Sequence, residues 1–138
     1  GEIIGVAPKF FDEEGVLFQD CTEFIFTDTM RQRKQKMEDL ADGFIVVPGG
    51  IGTFEEFFEI LTLKQLGRHC KPIAMLSTDG YYSPFCAMME HTAQKGFMSK
   101  RCLEIFKVCG SPEEALEHVL SDVSEAANVQ YELLDYNK

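Results

Sequence analysis

The sequence predicts an α/β protein built on a doubly wound, mainly parallel sheet, and three observations carry that prediction. Short apolar runs alternate along the chain with segments of helical periodicity. One of those runs, GFIVVPG at 43–49, is continuously apolar where a half-exposed strand would alternate. It leads directly into a turn with glycine at positions 49, 50 and 52. Alternating strands and helices favour parallel pairing with crossover connections. A continuous apolar run suits a central strand covered on both faces. A glycine-rich turn between a strand and a helix presents free main-chain N–H groups to an anion.

The elements follow in order. EIIGVAP (2–8) is apolar, β-branched and ended by proline, and reads as a strand. TEFIFTD (22–28) alternates and is aromatic, a second strand, and Thr29–Ala41 has helical periodicity. GFIVVPG is the third strand and Phe54–Leu66 the second helix. PIAMLST (72–78) repeats the character of 43–49, Ser83–Gln94 is helical, and IFKVCGS (105–111) is a weaker strand. A last helix, Pro112–Leu120, opens on Ser111-Pro112-Glu113-Glu114: a serine cap, proline in the first turn and glutamate three residues after the cap. The acidic stretch 121–138 reads as a terminal helix and tail. With no repeat, linker or low-complexity segment, residues 1–138 read as one domain. The chain opens directly on a strand, where a sheet of this type begins with another βα unit. The expectation is therefore a fragment or processed chain lacking an N-terminal unit.

Composition narrows the function. Hydrophobic residues make up 45% and charged residues 26%, the balance of a soluble globule, with no apolar run long enough to span a bilayer. A net charge of −10 argues against a nucleic-acid surface, which needs clustered Lys and Arg. Cys21, Cys70, Cys86, Cys102 and Cys109 are odd in number and lack CxxC spacing, so they read as reduced, mostly buried thiols of a cytoplasmic protein. His69, His91 and His118 are far apart and form no HExxH pattern, so no metal site is expected.

The glycine turn raises a conflict of charge. Gly49, Gly50, Ile51, Gly52 and Thr53 are placed to hold a phosphate at the helix start, yet Glu55 and Glu56 follow at once. The spacing is neither GxxxxGK[ST] nor GxGxxG, which sets aside the P-loop NTPases and weakens a dinucleotide reading. Two readings of Glu56 stand. In one, Thr53-x-x-Glu56 is a capping box and the glutamate only satisfies an N–H of its own helix. In the other, a wheel at ~100° per residue buries Phe54, Phe57, Phe58 and Leu61 and turns Glu55 and Glu59 outward. Glu56 then falls on the border, partly desolvated and suited to chemistry.

A second clue lies in MRQRKQKMEDLA (30–41). Met30, Met37, Leu40 and Ala41 form an apolar stripe, and Arg33 and Lys34 fall within or beside it. An inward arginine calls for an anionic partner, since an unpaired buried charge costs on the order of 3–5 kcal/mol. A structural ion pair with Glu55 or Glu56, or a snorkelling side chain, answers that need as well as a ligand does. Asp79-Gly80-Tyr81-Tyr82 after the fourth strand either lines a base pocket or makes a turn whose tyrosines pack in the core or an interface.

Together these residues resemble a known family. MRQRK (30–34), PGGIGTFEE (48–56), GEIIGVAP, ADGFIVVPGG, LKQLGRHCKPI and DGYY resemble the signature of the Lonely Guy proteins. Those are cytokinin riboside 5′-monophosphate phosphoribohydrolases, long labelled lysine decarboxylases. The resemblance covers most of residues 1–100 and implies a Rossmann-like fold and a homodimer or larger homo-oligomer; no cofactor is expected. The implied reaction is hydrolysis of the N-glycosidic bond of a nucleoside 5′-monophosphate, AMP or a cytokinin riboside monophosphate, to free base and ribose 5-phosphate. It assigns catalysis to Arg33 and Glu56. It assigns nucleotide contacts to Lys34, Gly49, Gly50, Ile51, Gly52, Thr53, Glu55 and Thr62. A nucleotide-binding or carrier protein of the same fold without catalysis is the alternative. A decarboxylase gains no support, because no lysine lies in a pyridoxal-phosphate motif.

Overall fold

The computed structural model describes residues 1–12, 17 and 20–126 of the chain. The main chain gathers into two compact units, Gly1–Ala41 and the chain from Asp42 onward.

In the first unit, β1 (Ile4–Pro8) and β2 (Glu23–Thr27) pair in parallel, from Ile4 opposite Glu23 to Pro8 opposite Thr27. Helix α1 (Met30–Leu40) packs on both strands. The segment expected as helix, Thr29–Ala41, contains α1 together with its two caps. Thr29 Oγ1 accepts the Gln32 N–H at 3.2 Å, while Gln32 Oε1 accepts the Thr29 N–H at 3.3 Å and the Asp28 N–H at 2.9 Å. This capping box closes with glutamine. No residue of α1 is fully buried, and Met37 and Leu40 of the expected inward stripe are exposed.

The second unit holds a parallel sheet of β3 (Phe44–Val46), β4 (Ile73–Leu76) and β5 (Lys107–Cys109), in the order β3-β4-β5. Helices α2 (Ile51–Gln65), α3 (Ser83–Gln94) and α4 (Pro112–Ala126) connect and cover it. Every residue of β4 is buried. Its side chains alternate between two cores, as strand geometry requires. Ile73 and Met75 join Val46, Phe57, Leu61, Tyr82, Phe85, Met89 and Phe106. Ala74 joins Cys109 and Ala115, with Val119 of α4 packed against them. Phe57 anchors the larger core, with edge-to-face contacts to Phe85 at 5.4 Å and Phe106 at 5.3 Å. Helices on both faces of a parallel sheet give the α/β, Rossmann-like layout expected from the sequence.

Within this unit's three strands β4 is the middle one, and β3 pairs with it. Only Phe44–Val46 pairs, because the chain leaves the sheet at Val47-Pro48, and proline has no N–H for a ladder.

Helix α4 starts as its sequence predicts. Ser111 Oγ accepts the Glu114 N–H at 3.2 Å, and Glu114 Oε2 accepts the Gly110 N–H at 2.8 Å. The Gly110 bond, then the hydrogen bond to Lys107, holds the Glu114 carboxyl below its ordinary pKa. The helix runs on to Ala126, six residues beyond the expected Leu120. The rest of the terminal helix and tail expected at 121–138, residues 127–138, lies outside the described residues. The five cysteines stand outside any disulfide, with Cys102 and Cys109 buried and the others half-buried. Burial pushes the Cys86, Cys102 and Cys109 thiols up. Among the described residues no helix is long and apolar enough to cross a membrane.

Candidate active site

The glycine turn is half turn and half helix. Helix α2 begins at Ile51 with Gly50 as its N-cap, three residues before the expected start at Phe54. The first intrahelical bond runs from the Phe54 N–H to the Gly50 carbonyl at 3.1 Å. The N–H groups of Gly50, Ile51, Gly52 and Thr53 are therefore the ones a helix start leaves without an intrahelical acceptor. Gly50, as the N-cap, has no side chain to accept from them. The dipole adds a partial positive charge at the same place.

The glycines serve space rather than unusual backbone angles, since none of Gly49, Gly50 and Gly52 has positive φ. A Cβ at Gly49 would lie 2.9 Å from Thr53 Cβ and collide with its hydroxyl. Gly49 is thus needed for the main chain to pass close to the first helical turn. A Cβ at Gly50 or Gly52 would meet nothing within 4 Å, so the mouth of the helix is open. Ile51 between them is 89% exposed.

The early helix start removes the capping-box reading of Glu56. Thr53 is the third residue of α2, not its cap, and Glu56 stands in the second turn. Both readings had placed the helix start too late, because glycine disfavours helix and the local pattern put the boundary after it. Glu56 is half-buried, while Glu55 and Glu59 are exposed, as the helical wheel predicts. On the aromatic face Phe57 and Leu61 are buried and Phe54 is half-buried, but Phe58 is 38% exposed. Positions 52 and 56 are four apart and share a face of the helix. Side chains lean toward the helix N-terminus, so Glu56 stands over the turn below that open mouth. The separation along the axis is about 6 Å. Thr62 is exposed and nine residues beyond Thr53, roughly 14 Å along the axis, so α2 does not bring it to the mouth.

Arg33 and Lys34 belong to the first unit, on α1, and both are half-buried as their positions beside the apolar stripe suggest. Arg33 Nε donates to the Val6 carbonyl of β1 at 3.3 Å. The inward arginine thus has a main-chain acceptor in the middle of β1. It lines a mostly apolar cavity of about 410 Å³ together with Val6, Ala7, Phe11, Cys21 and Phe24.

Asp79–Tyr82 makes the turn, with Tyr82 packed in the core and Tyr81 exposed, and it does something the sequence did not signal. Asp79 (φ +51°) and Gly80 (φ +73°) make a left-handed turn, and Tyr82 is wholly buried in the core. The Tyr82 hydroxyl donates to the Val47 carbonyl at 2.6 Å, and the Tyr81 hydroxyl donates to the Gly49 carbonyl at 2.7 Å. Burial raises the Tyr82 pKa, and the neighbouring Tyr81 adds to the rise. These contacts join residues more than thirty positions apart, which no local pattern encodes.

This geometry sits within a chain that matches known proteins closely. A family profile described as "Possible lysine decarboxylase" matches residues 1–119. A cytokinin riboside 5′-monophosphate phosphoribohydrolase of Rhodococcoides fascians is 38% identical over 122 residues, 88% of this chain and 62% of that protein. The chain belongs to the Lonely Guy family. Two further relatives carry the same enzyme name. LOG2 of Arabidopsis thaliana is 38% identical over 75% of this chain and 48% of its own length. The protein of Mycobacterium tuberculosis is 39% identical over 84% of this chain and 62% of its own. The chain therefore spans about half to three-fifths of the length of these Lonely Guy relatives.

Proposed function

We propose that this chain contributes the anion cradle and the acid of a phosphoribohydrolase that cleaves the N-glycosidic bond of a nucleoside 5′-monophosphate. The observation that carries the reading is the open N-terminus of α2 with Glu56 one turn below it on the same face. The names of the relatives support the reaction class and the substrate.

The 5′-phosphate accepts hydrogen bonds from the main-chain N–H groups of Gly50–Thr53, where the helix dipole favours it. A ribose 5-phosphate reaches from its phosphorus to its anomeric carbon over about one helical turn, which sets that carbon near Glu56. Breaking the C1′–N bond develops positive charge on the ribose. A carboxylate stabilises that charge or takes a proton from the water that adds to C1′, while the base leaves with its bonding pair and is protonated. Phosphate and carboxylate then act on different parts of one ligand, which resolves the conflict of charge. Glu55, Ile51 and Thr62 are proposed nucleotide contacts on the motif alone. Arg33 as a catalytic residue and Lys34 as a nucleotide contact likewise rest on the MRQRK resemblance.

The substrate is AMP or a cytokinin riboside monophosphate and the assembly a homodimer or larger homo-oligomer, as the resemblance implies, and the reading of the cysteines as reduced thiols supports a cytoplasmic location. The test is release of adenine from AMP. The wild-type protein should release it, and Glu56→Gln should not, with an unchanged melting temperature. Undiminished turnover by that variant would move catalysis to another residue. Binding of AMP by the wild type without release would favour a non-catalytic nucleotide carrier.

A further inference from the structure

Glycine-rich segments carry more backbone freedom than any other sequence, so an anion cradle built on Val47–Gly52 has to be held in shape from outside. Two adjacent tyrosines hold it. They come from the connection between β4 and α3, and they take alternate carbonyls of the departing chain, Val47 at 2.6 Å and Gly49 at 2.7 Å. The connection is shaped to deliver them. Its left-handed residues Asp79 and Gly80 turn the chain back, and Ser77 Oγ accepts the Tyr82 N–H at 2.9 Å.

The two tyrosines are not equivalent. Tyr82 is enclosed by Phe54 at 5.9 Å and Phe85 at 6.1 Å, and packing alone accounts for its place. Tyr81 is 49% exposed and meets the Tyr82 ring edge-on at 4.9 Å. Water could satisfy so exposed a hydroxyl, yet it holds the Gly49 carbonyl. The peptide joining Gly49 to Gly50 is planar and trans, so its C=O and N–H point in opposite directions. Fixing the Gly49 carbonyl toward Tyr81 therefore fixes the Gly50 N–H away from it. That N–H is the first of the donors at the mouth of α2.

We propose that Tyr81 is a positioning residue for the phosphate: its grip on the Gly49 carbonyl aims the Gly50 N–H at the anion. This rests on the anion site proposed above and assigns a residue outside the PGGIGTFEE motif to its geometry. The variant that isolates the effect is Tyr81→Phe, which keeps the ring and its contact with Tyr82 and removes only the hydroxyl.

Calorimetric titrations of the wild type and the variant with AMP and with adenosine, beside melting curves, test it. The wild type should prefer AMP to adenosine. Tyr81→Phe, which loosens the aim of one N–H without removing it, should bind AMP about fivefold more weakly, with adenosine binding and melting temperature unchanged. In turnover the loss should appear as a raised KM for AMP. A wild type with no preference for AMP sinks the anion site and this role with it. A wild-type preference that Tyr81→Phe retains in full overturns the role of Tyr81 and leaves the anion site standing. Equal weakening toward both ligands, with a lowered melting temperature, shows a purely structural tyrosine and overturns the proposal as well.

Discussion

Adding one methyl group at Gly52 separates a glycine kept for folding from one kept for a ligand. Gly52 lies in the first turn of α2 with negative φ, and a Cβ there would meet no protein atom within 4 Å. Gly52→Ala should therefore stabilise the protein, because alanine is favoured over glycine in a helix by roughly 0.5–1 kcal/mol. That corresponds to a rise of about 2–4 °C in melting temperature. If phosphate approaches the main chain at this point, the same methyl obstructs it. Losing one charge-assisted hydrogen bond of about 1.5–3 kcal/mol weakens AMP binding roughly ten- to hundredfold. The neighbouring Gly49→Ala is the contrast, since its Cβ would lie 2.9 Å from Thr53 Cβ. Overpacking of that kind costs about 1–3 kcal/mol, so this variant should melt lower. Thermal melts and calorimetric titration of AMP on both variants read the two effects separately. A Gly52→Ala protein that is more stable and binds AMP as tightly as the wild type would refute a phosphate at the mouth of α2.

Other expectations follow from packing, capping and titration. Phe57→Ala empties the centre of the larger core, where Phe57 is 1% exposed, and should cost about 3–5 kcal/mol in urea denaturation. Thr29→Ala removes the α1 capping box and should cost about 0.5–2 kcal/mol, with Thr29→Ser recovering most of it. The Glu114 carboxyl titrates below its ordinary value in the folded protein. Its contribution is therefore present above the unfolded pKa and lost as pH falls through the folded one, so Glu114→Gln should flatten the acid limb of the stability profile. For Tyr82, whose folded pKa is raised, stability is present below the ordinary tyrosine value and lost as pH rises through the folded one. Alkaline unfolding should accordingly be shallower in Tyr82→Phe, measured by circular dichroism against pH.

The sequence was legible wherever structure is local. MRQRK and PGGIGTFEE carry the family relation, and the wheel over α2 placed Glu56 at the margin of the buried face and Glu55 in solvent. The serine cap of α4 was readable because donor and acceptor are three residues apart. The start of α2 was misread because glycine propensity argued against helix at 51 and 52, while the Phe54 N–H to Gly50 carbonyl bond carries the helix through them.

By itself the sequence determined the order and type of the elements, because hydrophobic period, caps and turn residues act over a few positions. The tertiary structure alone decided which of the second unit's three strands is the middle one and which residues hold the glycine turn. Strand order depends on pairing between distant segments, and β4 takes the middle by pairing with both β3 and β5. The hold of Tyr81 on Gly49 spans 32 positions. A hydroxyl finds a carbonyl at that separation only after the sheet has brought the ends of β3 and β4 together, and no local propensity records it.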